Sequence, residues 1–178
     1  MRPTAAPGRN AVAGRRMTGP DDLAVEIRLL DPRLSGWGFP RWGSAQAAGL
    51  DLHACLDAPL TLAPQAAPVL VPAGFAVAIR DPGWCGLVCP RSGLGHREGL
   101  VLGNTVGVID ADYEGPLMLS LWNRNPPGAS RPLTIAPGER VAQLVFTRVT
   151  RPALRLVETF SGEAAARGES GFGSTGRH

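Results

Sequence analysis

The chain has 178 residues, the size of one domain that can bury a hydrophobic core without disulfides or metals. Apolar residues make up 44% of it, and 23 glycines and 17 prolines favour a turn-rich β protein. No apolar stretch approaches the roughly 20 residues of a membrane-spanning helix, so we expect no membrane partner. All 18 basic residues are arginine, which excludes any mechanism that needs a lysine.

Residues 1–20 hold four arginines and no acid, whereas the rest of the chain has 14 arginines against 15 acidic residues. The positive charge therefore lies in an Ala/Pro/Gly-rich segment and predicts no specific nucleic-acid partner. We predict a disordered N-terminal extension over 1–20. Two origins stay open, an organellar targeting segment or translation that starts at Met17.

Eight short strand-like segments follow between glycines and prolines, and they favour an all-β, jelly-roll-like sandwich or barrel over 21–161. The predicted strands are Ala24–Leu30, Leu50–Cys55, Val69–Leu70, Phe75–Ile79, Trp84–Cys89, Val106–Ile109, Leu117–Trp122 and Arg140–Val149. One short helix is predicted over 92–99, and 162–178 is predicted to be a flexible arm. The odd number of cysteines, three, favours buried thiols in a reducing, cytoplasmic compartment.

Residues 90–95, Pro-Arg-Ser-Gly-Leu-Gly, have the composition of an anion site. Ser92 stands where a helix N-cap is expected, and the amides after it can converge on a phosphate beside Arg91. An ordinary serine cap with a surface arginine gives the same pattern.

Residues 107–115 predict part of a β-hairpin with its bend over 110–115. Apolar residues, Val106, Val108 and Ile109, enter the bend, and Leu117, Leu119 and Leu121 leave it in alternation. Asp110 and Asp112 are not expected to form an acid/base dyad: one of them is expected to be catalytic, and Asp112 has the character of a turn residue that hydrogen-bonds its own backbone. Tyr113 can pack against a sugar or a base.

Residues 167–176 nearly match a phosphate-binding P-loop, but Ser174 stands where that loop requires lysine. What remains is a glycine-rich arm with one cation, Arg167, and one aromatic residue, Phe172. Such an arm is suited to closing over a polyphosphate and stacking on a base.

Taken in order, segments 48–54, 90–95, 107–115, 138–143 and 167–176 resemble the five motifs of the trimeric deoxyuridine triphosphatases (dUTPases). The resemblance implies a homotrimer with active sites shared between subunits. It also implies Mg²⁺-dependent hydrolysis of dUTP to dUMP and pyrophosphate. Trp42 and Gly43 depart from the usual residues of the family and match no functional position.

The resemblance also implies a role for each matched residue. Asp110 is the catalytic residue that deprotonates the attacking water, and Asp51 acts on the metal through its water shell. Tyr113 packs against the deoxyribose. The remaining expected substrate-binding residues are Asn104, Val108, Ile109 and Met118 for uracil, Arg91, Ser92, Gly93, Arg140 and Gln143 near the phosphates, and Arg167, Phe172, Ser174 and Thr175 from the arm.

Two alternatives stay open from the sequence alone. The first is a dCTP deaminase-type relative, which shares the fold but has a different second motif. The second is a regulatory module that binds dUTP and changes its contacts with a partner.

Overall fold

The computed structural model describes residues 23–128 and 132–161. Within these ranges, ten strands dominate and helical structure is short. In chain order the elements are β1 (Glu26–Leu29), α1 (Arg33–Gly36), β2 (Gly49–His53), β3 (Leu60–Leu62), β4 (Val69–Ala78), β5 (Trp84–Pro90), a π-helical turn (Leu94–Glu98), β6 (Leu100–Leu102), β7 (Gly107–Ile109), β8 (Pro116–Asn123), β9 (Leu133–Ile135) and β10 (Arg140–Arg148).

Two four-stranded antiparallel sheets form a jelly-roll-like sandwich. The first has the order β1-β4-β8-β6 and the second has the order β2-β10-β5-β7, while β3 and β9 form a separate two-stranded ribbon. Among the residues that the structure describes, no helix is long and apolar enough to span a membrane.

The core lies between the two sheets and follows from strand alternation. Leu117, Leu119 and Leu121 of β8 are buried on one side, and Leu52 and Leu144 are buried on the other. Because successive side chains of a strand point to opposite faces, the residues between these leucines lie on the outward faces of the sheets. Those outward faces carry the site described below.

The predicted all-β fold is confirmed, and each predicted strand has a counterpart. Val69–Leu70 and Phe75–Ile79 correspond to one strand, β4, whose pairing with β8 shifts register between Pro72 and Ala76. The prediction omitted the short strands β3, β6 and β9, each of three residues. The predicted extension 1–20 and the predicted arm 162–178 lie outside the described residues.

The predicted hairpin across 107–115 is wrong. β7 pairs with β5 in the second sheet, whereas β8 pairs with β4 and β6 in the first. The turn between β7 and β8 therefore crosses from one sheet to the other. The alternation of apolar residues correctly predicts a strand on each side of this turn, but it does not specify which strand each one pairs with.

The predicted short helix over 92–99 is present with a different hydrogen-bond pattern, because Ser92 and Gly93 are α-helical, Leu94–Glu98 are π-helical and the helical stretch ends at Glu98. The structure has a five-residue π-helical turn, Leu94–Glu98, whose N-cap is Gly93 and which has no side-chain cap hydrogen bond. Ser92 is therefore not the N-cap, and so short a turn gives little dipole to bind an anion. The sequence prediction also missed α1, a single turn between Arg33 and Gly36.

Candidate active site

An arginine-lined groove lies on the outward face of the second sheet. Asp51 of β2 is paired in register with Gln143 of β10, and Arg91 follows the end of β5, the next strand. The groove has a volume of about 500 Å³ and is lined by Gly43, Ala47, Ala48, Gly49, Asp51, Arg91, Ser92, Arg140 and Gln143. We call it the phosphate groove.

Asp51 organises the charges of the phosphate groove. Its Oδ2 accepts a hydrogen bond from Nη1 of Arg140 at 2.8 Å, and its Oδ1 lies 3.4 Å from Nε of Arg91. Arg91 also donates from Nη1 to the main-chain carbonyl of Arg140 at 2.9 Å. Two guanidinium groups against one carboxylate leave the groove net positive, which suits a polyphosphate.

Gln143 closes the floor of the phosphate groove. Its Nε2 donates to the carbonyl of Pro90 at 3.0 Å, which ties β10 to the end of β5. The side-chain amide lies so close to Gly49 that a Cβ atom at position 49 would overlap it. The glycine before Asp51 is therefore required by close approach.

His53 is a buried residue beside the groove that the sequence analysis did not single out. It faces Arg140 across the β2–β10 pairing, and its ring centroid lies 6.0 Å from that of Trp37 and 6.4 Å from that of Phe39. Its Nδ1 has no hydrogen-bond partner within the described part of the chain. Burial is the main cause that lowers the pKa of His53, so the ring is held neutral.

A second, smaller cavity lies where β7 and β8 begin to diverge. Its volume is about 200 Å³, and it is lined by Val108, Ile109, Asp110, Tyr113, Leu117 and Met118. Five of these six residues were expected from the resemblance, and Leu117 was expected only as a core residue of a strand. We call it the base cavity.

The turn between β7 and β8 holds Asp110 and Tyr113 together. The main-chain N–H of Tyr113 donates to the carbonyl of Asp110 at 3.2 Å, and its hydroxyl donates to the carbonyl of Pro116 at 2.9 Å. A Cβ atom at Gly115 would overlap the hydroxyl end of the Tyr113 ring, so this position of the ring depends on a residue without a side chain. Asp110 itself is exposed.

The expected site residues therefore divide between two cavities that share no lining residue. Gly93 follows Ser92 directly without lining the phosphate groove. Asn104 is exposed and is not among the residues that line the base cavity, although its amide approaches Gly107 at the start of β7. Arg167, Phe172, Ser174 and Thr175 lie outside the described residues.

The sequence analysis missed one wall of the phosphate groove. Gly43, Ala47 and Ala48 line it from the loop before β2, where the main-chain N–H of Asp51 donates to the carbonyl of Arg41 at 3.1 Å. The run of small residues before Asp51 was the available signal. Small side chains leave room for a ligand beside a strand.

The metal-ligand side chains near the phosphate groove fit a hydrated divalent ion better than a directly coordinated one. Within residues 23–128 and 132–161, no three His, Cys, Asp or Glu side chains form a group that could hold a metal ion. Both carboxylate oxygens of Asp51 face guanidinium groups. This donor set suits a cation that keeps its water shell and takes its direct ligands from phosphates, which is the usual behaviour of Mg²⁺.

A family model described as dUTPase matches residues 36–176 of the chain. The deoxyuridine 5'-triphosphate nucleotidohydrolase of Tolumonas auensis is 49% identical over 155 residues, which cover 86% of this chain and 98% of the relative. The protein of the same name from Paraburkholderia phymatum is 49% identical over 156 residues, covering 88% of this chain and all of the relative.

Solved structures of phage proteins share the fold. The dUTPase of Staphylococcus bacteriophage 80alpha with dUpNHpp superposes with a TM-score of 0.71 at 27% identity, covering 86% of this chain and 98% of that chain. A variant dUTPase from phage phi11 of S. aureus, described as showing the coordination of a structural Mg(II) ion, has a TM-score of 0.66 at 25% identity and covers 78% of this chain and 99% of its own.

Proposed function

The chain belongs to the dUTPase family and hydrolyses dUTP to dUMP and pyrophosphate, and from this premise we propose how its residues divide the work. The base cavity takes uracil and deoxyribose, and the phosphate groove takes the triphosphate. The observation that carries the proposal is the separation of the expected residues into one apolar cavity with a single carboxylate and one arginine-lined groove.

The base cavity discriminates by main-chain groups and by shape. Main-chain donors and acceptors at Val108, Ile109 and Met118, with Asn104 nearby, read the edge of uracil, and a cytosine amine reverses the pattern they accept. The Tyr113 ring, held by its hydrogen bond to the Pro116 carbonyl, packs against the sugar and leaves no room for a 2′-hydroxyl.

The phosphate groove binds and orients the triphosphate. Arg91 and Arg140 supply charge-assisted donors, while Ser92, Gly93 and Gln143 supply neutral ones. Because Asp51 already orients both guanidinium groups, they are arranged before substrate arrives. Preorganised donors stabilise the charge that develops on the departing pyrophosphate without a later cost of reorganisation.

Asp110 is the general base of the proposed reaction. Asp110 is exposed and lines the base cavity, and in this proposal the α-phosphate lies beside it when the base is bound. There the carboxylate accepts a proton from water and orients that water for in-line attack on the α-phosphorus. The leaving group is pyrophosphate, and the bond broken is the anhydride between the α- and β-phosphates.

Mg²⁺ is the proposed cofactor, and it fits the donor set described above. When bound to the substrate phosphates, the ion neutralises charge on the triphosphate and fixes its conformation. Asp51 is the residue that holds it in this chain, through water, because its own oxygens are engaged by Arg91 and Arg140.

We further propose a homotrimer in which sites are shared between subunits. The two cavities share no lining residue, which supports a site assembled from more than one chain. Apolar side chains that another subunit could cover are exposed, among them Leu70, Leu154, Leu156 and Phe160. In the proposed assembly Phe172 stacks on uracil, and Arg167, Ser174 and Thr175 bind the outer phosphates in a neighbouring site.

The proposed location is the cytoplasm. Cys55, Cys85 and Cys89 are all free thiols in the structure. Free buried thiols are typical of proteins in reducing compartments, where disulfides do not persist.

Pyrophosphate release from dUTP, dCTP, dTTP and UTP, with Mg²⁺ and with EDTA, tests the substrate and the cofactor together. We expect release from dUTP alone, and loss of that release in EDTA. Conversion of dCTP to a uracil nucleotide would instead support a deaminase. Tight binding of dUTP without turnover would support the regulatory module.

Asp110→Asn tests the assigned base, and Asp112→Asn is the matched control on the same turn. We expect kcat to fall by about 10²- to 10⁴-fold for Asp110→Asn and to stay near the parent value for the control. Asp110 is exposed, so its loss should not affect the melting temperature. Turnover of Asp110→Asn at the parent rate would refute the assignment.

Mixing two inactive variants tests whether sites are shared. Asp110→Asn and Arg91→Gln are each expected to be inactive as homotrimers. After unfolding and refolding together, mixed trimers regain activity if Asp110 and Arg91 of one site come from different subunits. If both residues come from one chain, every site keeps a defect and the mixture stays inactive.

A further inference from the structure

Two residues that follow β8 contact the π-helical turn beside the phosphate groove. Nη2 of Arg124 donates to the carbonyl of Gly95 at 2.7 Å, and Nδ2 of Asn125 donates to the carbonyl of Glu98 at 2.6 Å. The main-chain N–H of Arg124 also donates to the carbonyl of Gly99 at 3.0 Å. These donors satisfy carbonyls that a helical turn leaves without partners at its C-terminal end. We call Arg124 and Asn125 the clamp.

Gly95 connects the clamp to the phosphate groove. Its carbonyl accepts from Arg124, while its main-chain N–H donates to the carbonyl of Arg91 at 2.9 Å. The side chain of Arg91 in turn contacts Asp51 and the carbonyl of Arg140. A continuous path of hydrogen bonds therefore runs from the Arg124 guanidinium to the residues that bind phosphate.

The clamp is itself anchored on its other side. Nε2 of Gln65 donates to the carbonyl of Arg124 at 2.6 Å, and the main-chain N–H of Gln65 donates to the carbonyl of Asn123 at 2.9 Å. The buried Asn123 side chain donates to the carbonyl of Leu62 at 3.0 Å. Arg124 thus reaches the π-helical turn from a fixed piece of main chain.

We propose that Arg124 is a positioning residue for the phosphate groove, acting through Gly95 on the main chain of Arg91. A π-helical turn is intrinsically poor in stability, so its conformation depends on outside contacts. Without the clamp, the main chain after Arg91 changes conformation, and the Arg91 guanidinium is no longer oriented toward the phosphate. The inference rests on the proposed function of the groove. Arg124 and Asn125 lie outside the five motif segments.

Competitive inhibition by two ligands separates this role from a merely structural one. The non-hydrolysable analogue dUpNHpp uses both cavities, whereas deoxyuridine uses only the base cavity. For Arg124→Gln we expect the inhibition constant of dUpNHpp to rise about tenfold, the size expected for one lost charge-assisted hydrogen bond. The constant of deoxyuridine should stay within about twofold, because the base cavity keeps its lining residues.

Arg28→Gln is the matched control, since it removes the same charge from the exposed β1 strand of the same sheet as β8. It should leave both inhibition constants unchanged. Arg124→Lys, which keeps one charged donor, should restore part of the dUpNHpp affinity. Equal weakening of both ligands by Arg124→Gln, or no weakening of either, overturns the proposal.

Asn125→Ala provides the decisive comparison if Arg124→Gln fails to fold. It removes the donor to the Glu98 carbonyl and leaves Arg124 in place. We therefore expect the inhibition constant of dUpNHpp to rise about threefold, and that of deoxyuridine to stay unchanged. An unchanged or unselective response refutes the clamp. Failure of the unmodified chain to hydrolyse dUTP would count against the proposed function, whereas dissociation constants of the same two ligands, measured directly by calorimetry, would still test the clamp.

Discussion

Replacement of Asp51 by asparagine tests the electrostatic design of the phosphate groove. The carboxylate is almost fully buried and contacts Arg140 at 2.8 Å and Arg91 at 3.4 Å. At an effective dielectric of about 20, unit charges about 4 Å apart attract by about 4 kcal/mol. The two guanidinium side chains are 38% and 32% exposed, so desolvation and screening leave about 1 kcal/mol per pair.

We therefore expect Asp51→Asn to lower the free energy of unfolding by about 2 kcal/mol, and the melting temperature by about 4–8 °C. The difference should shrink in high salt, because salt screens the lost pairs. Asp57→Asn is the matched control, since that carboxylate lies 3.0 Å from Arg33 but is 97% exposed. Equal melting temperatures for the two variants at matched protein concentration would refute the estimate.

The same substitution separates phosphate binding from metal use. Removing one negative charge makes the groove more positive, so Asp51→Asn should bind dUpNHpp in EDTA at least as tightly as the parent does. The Mg²⁺ concentration for half-maximal hydrolysis should rise, because the residue proposed to hold the hydrated ion is lost. Asp51 also orients Arg91 and Arg140, so weaker dUpNHpp binding in EDTA would contradict this prediction and show that the loss of arginine orientation outweighs the gain in positive charge.

Two further predictions concern Gly115 and Cys55. Gly115→Ala should displace the Tyr113 ring and reduce the preference for dUTP over UTP about tenfold. Gly36→Ala is the control, because Gly36 has open space around it, and it should leave this preference unchanged. Steady-state kinetics with both nucleotides measure the preference. Burial raises the pKa of the Cys55 thiol from 9.0 to about 11, so the unfolded chain ionises first and stability falls as pH rises from 9 to 11. Urea unfolding between pH 9 and 11 should show that the free energy of unfolding falls by roughly 2 kcal/mol in the parent but not in Cys55→Ala. If the free energy of unfolding changes with pH in the same way in both proteins, the pKa shift of Cys55 is contradicted.

Strand positions were predictable from the sequence because alternation and turn residues report local geometry. In β8 the alternation placed Leu117, Leu119 and Leu121 in the core, as the structure shows. The partner of each strand was not predictable in this way. Residues 110–115 have the composition of a hairpin turn, yet the segment joins two different sheets, because pairing is decided by contacts far away in sequence.

The chemistry of the site was more predictable than its geometry. The resemblance of the ordered motif segments to the dUTPase family implied roles for Asp51, Arg91, Arg140 and Gln143, and the structure brings all four to one groove. The π-helical turn was not predictable, since its hydrogen-bond pattern depends on donors supplied by Arg124 and its neighbour rather than on local sequence. Tertiary contacts decided that segment, as they often do for short helical pieces.

Both cavities include residues from an exposed face of the second sheet, so the substrate needs shielding from water there. Gln143 and Val108 lie on the outward face of one sheet, two strands and two residues apart, which corresponds to roughly 12 Å. Whether the groove and the cavity of one site come from the same chain or from neighbouring chains, the anhydride must be shielded from all water except the attacking molecule, and within the described residues both Val108 and Asp110 are exposed.

The segment after β10 can supply the free energy for such a cover. Leu154, Leu156 and Phe160 are between 88% and 99% exposed, an unusual concentration of apolar surface in the thirteen described residues 149–161, which contain no helix or strand. Burying each side chain against a second copy would contribute about 2 kcal/mol, or about 6 kcal/mol per subunit before entropy. In the proposed trimer, the contacts that shield the site would be the same contacts that hold the subunits together, so loss of assembly and loss of turnover should occur at the same protein concentration.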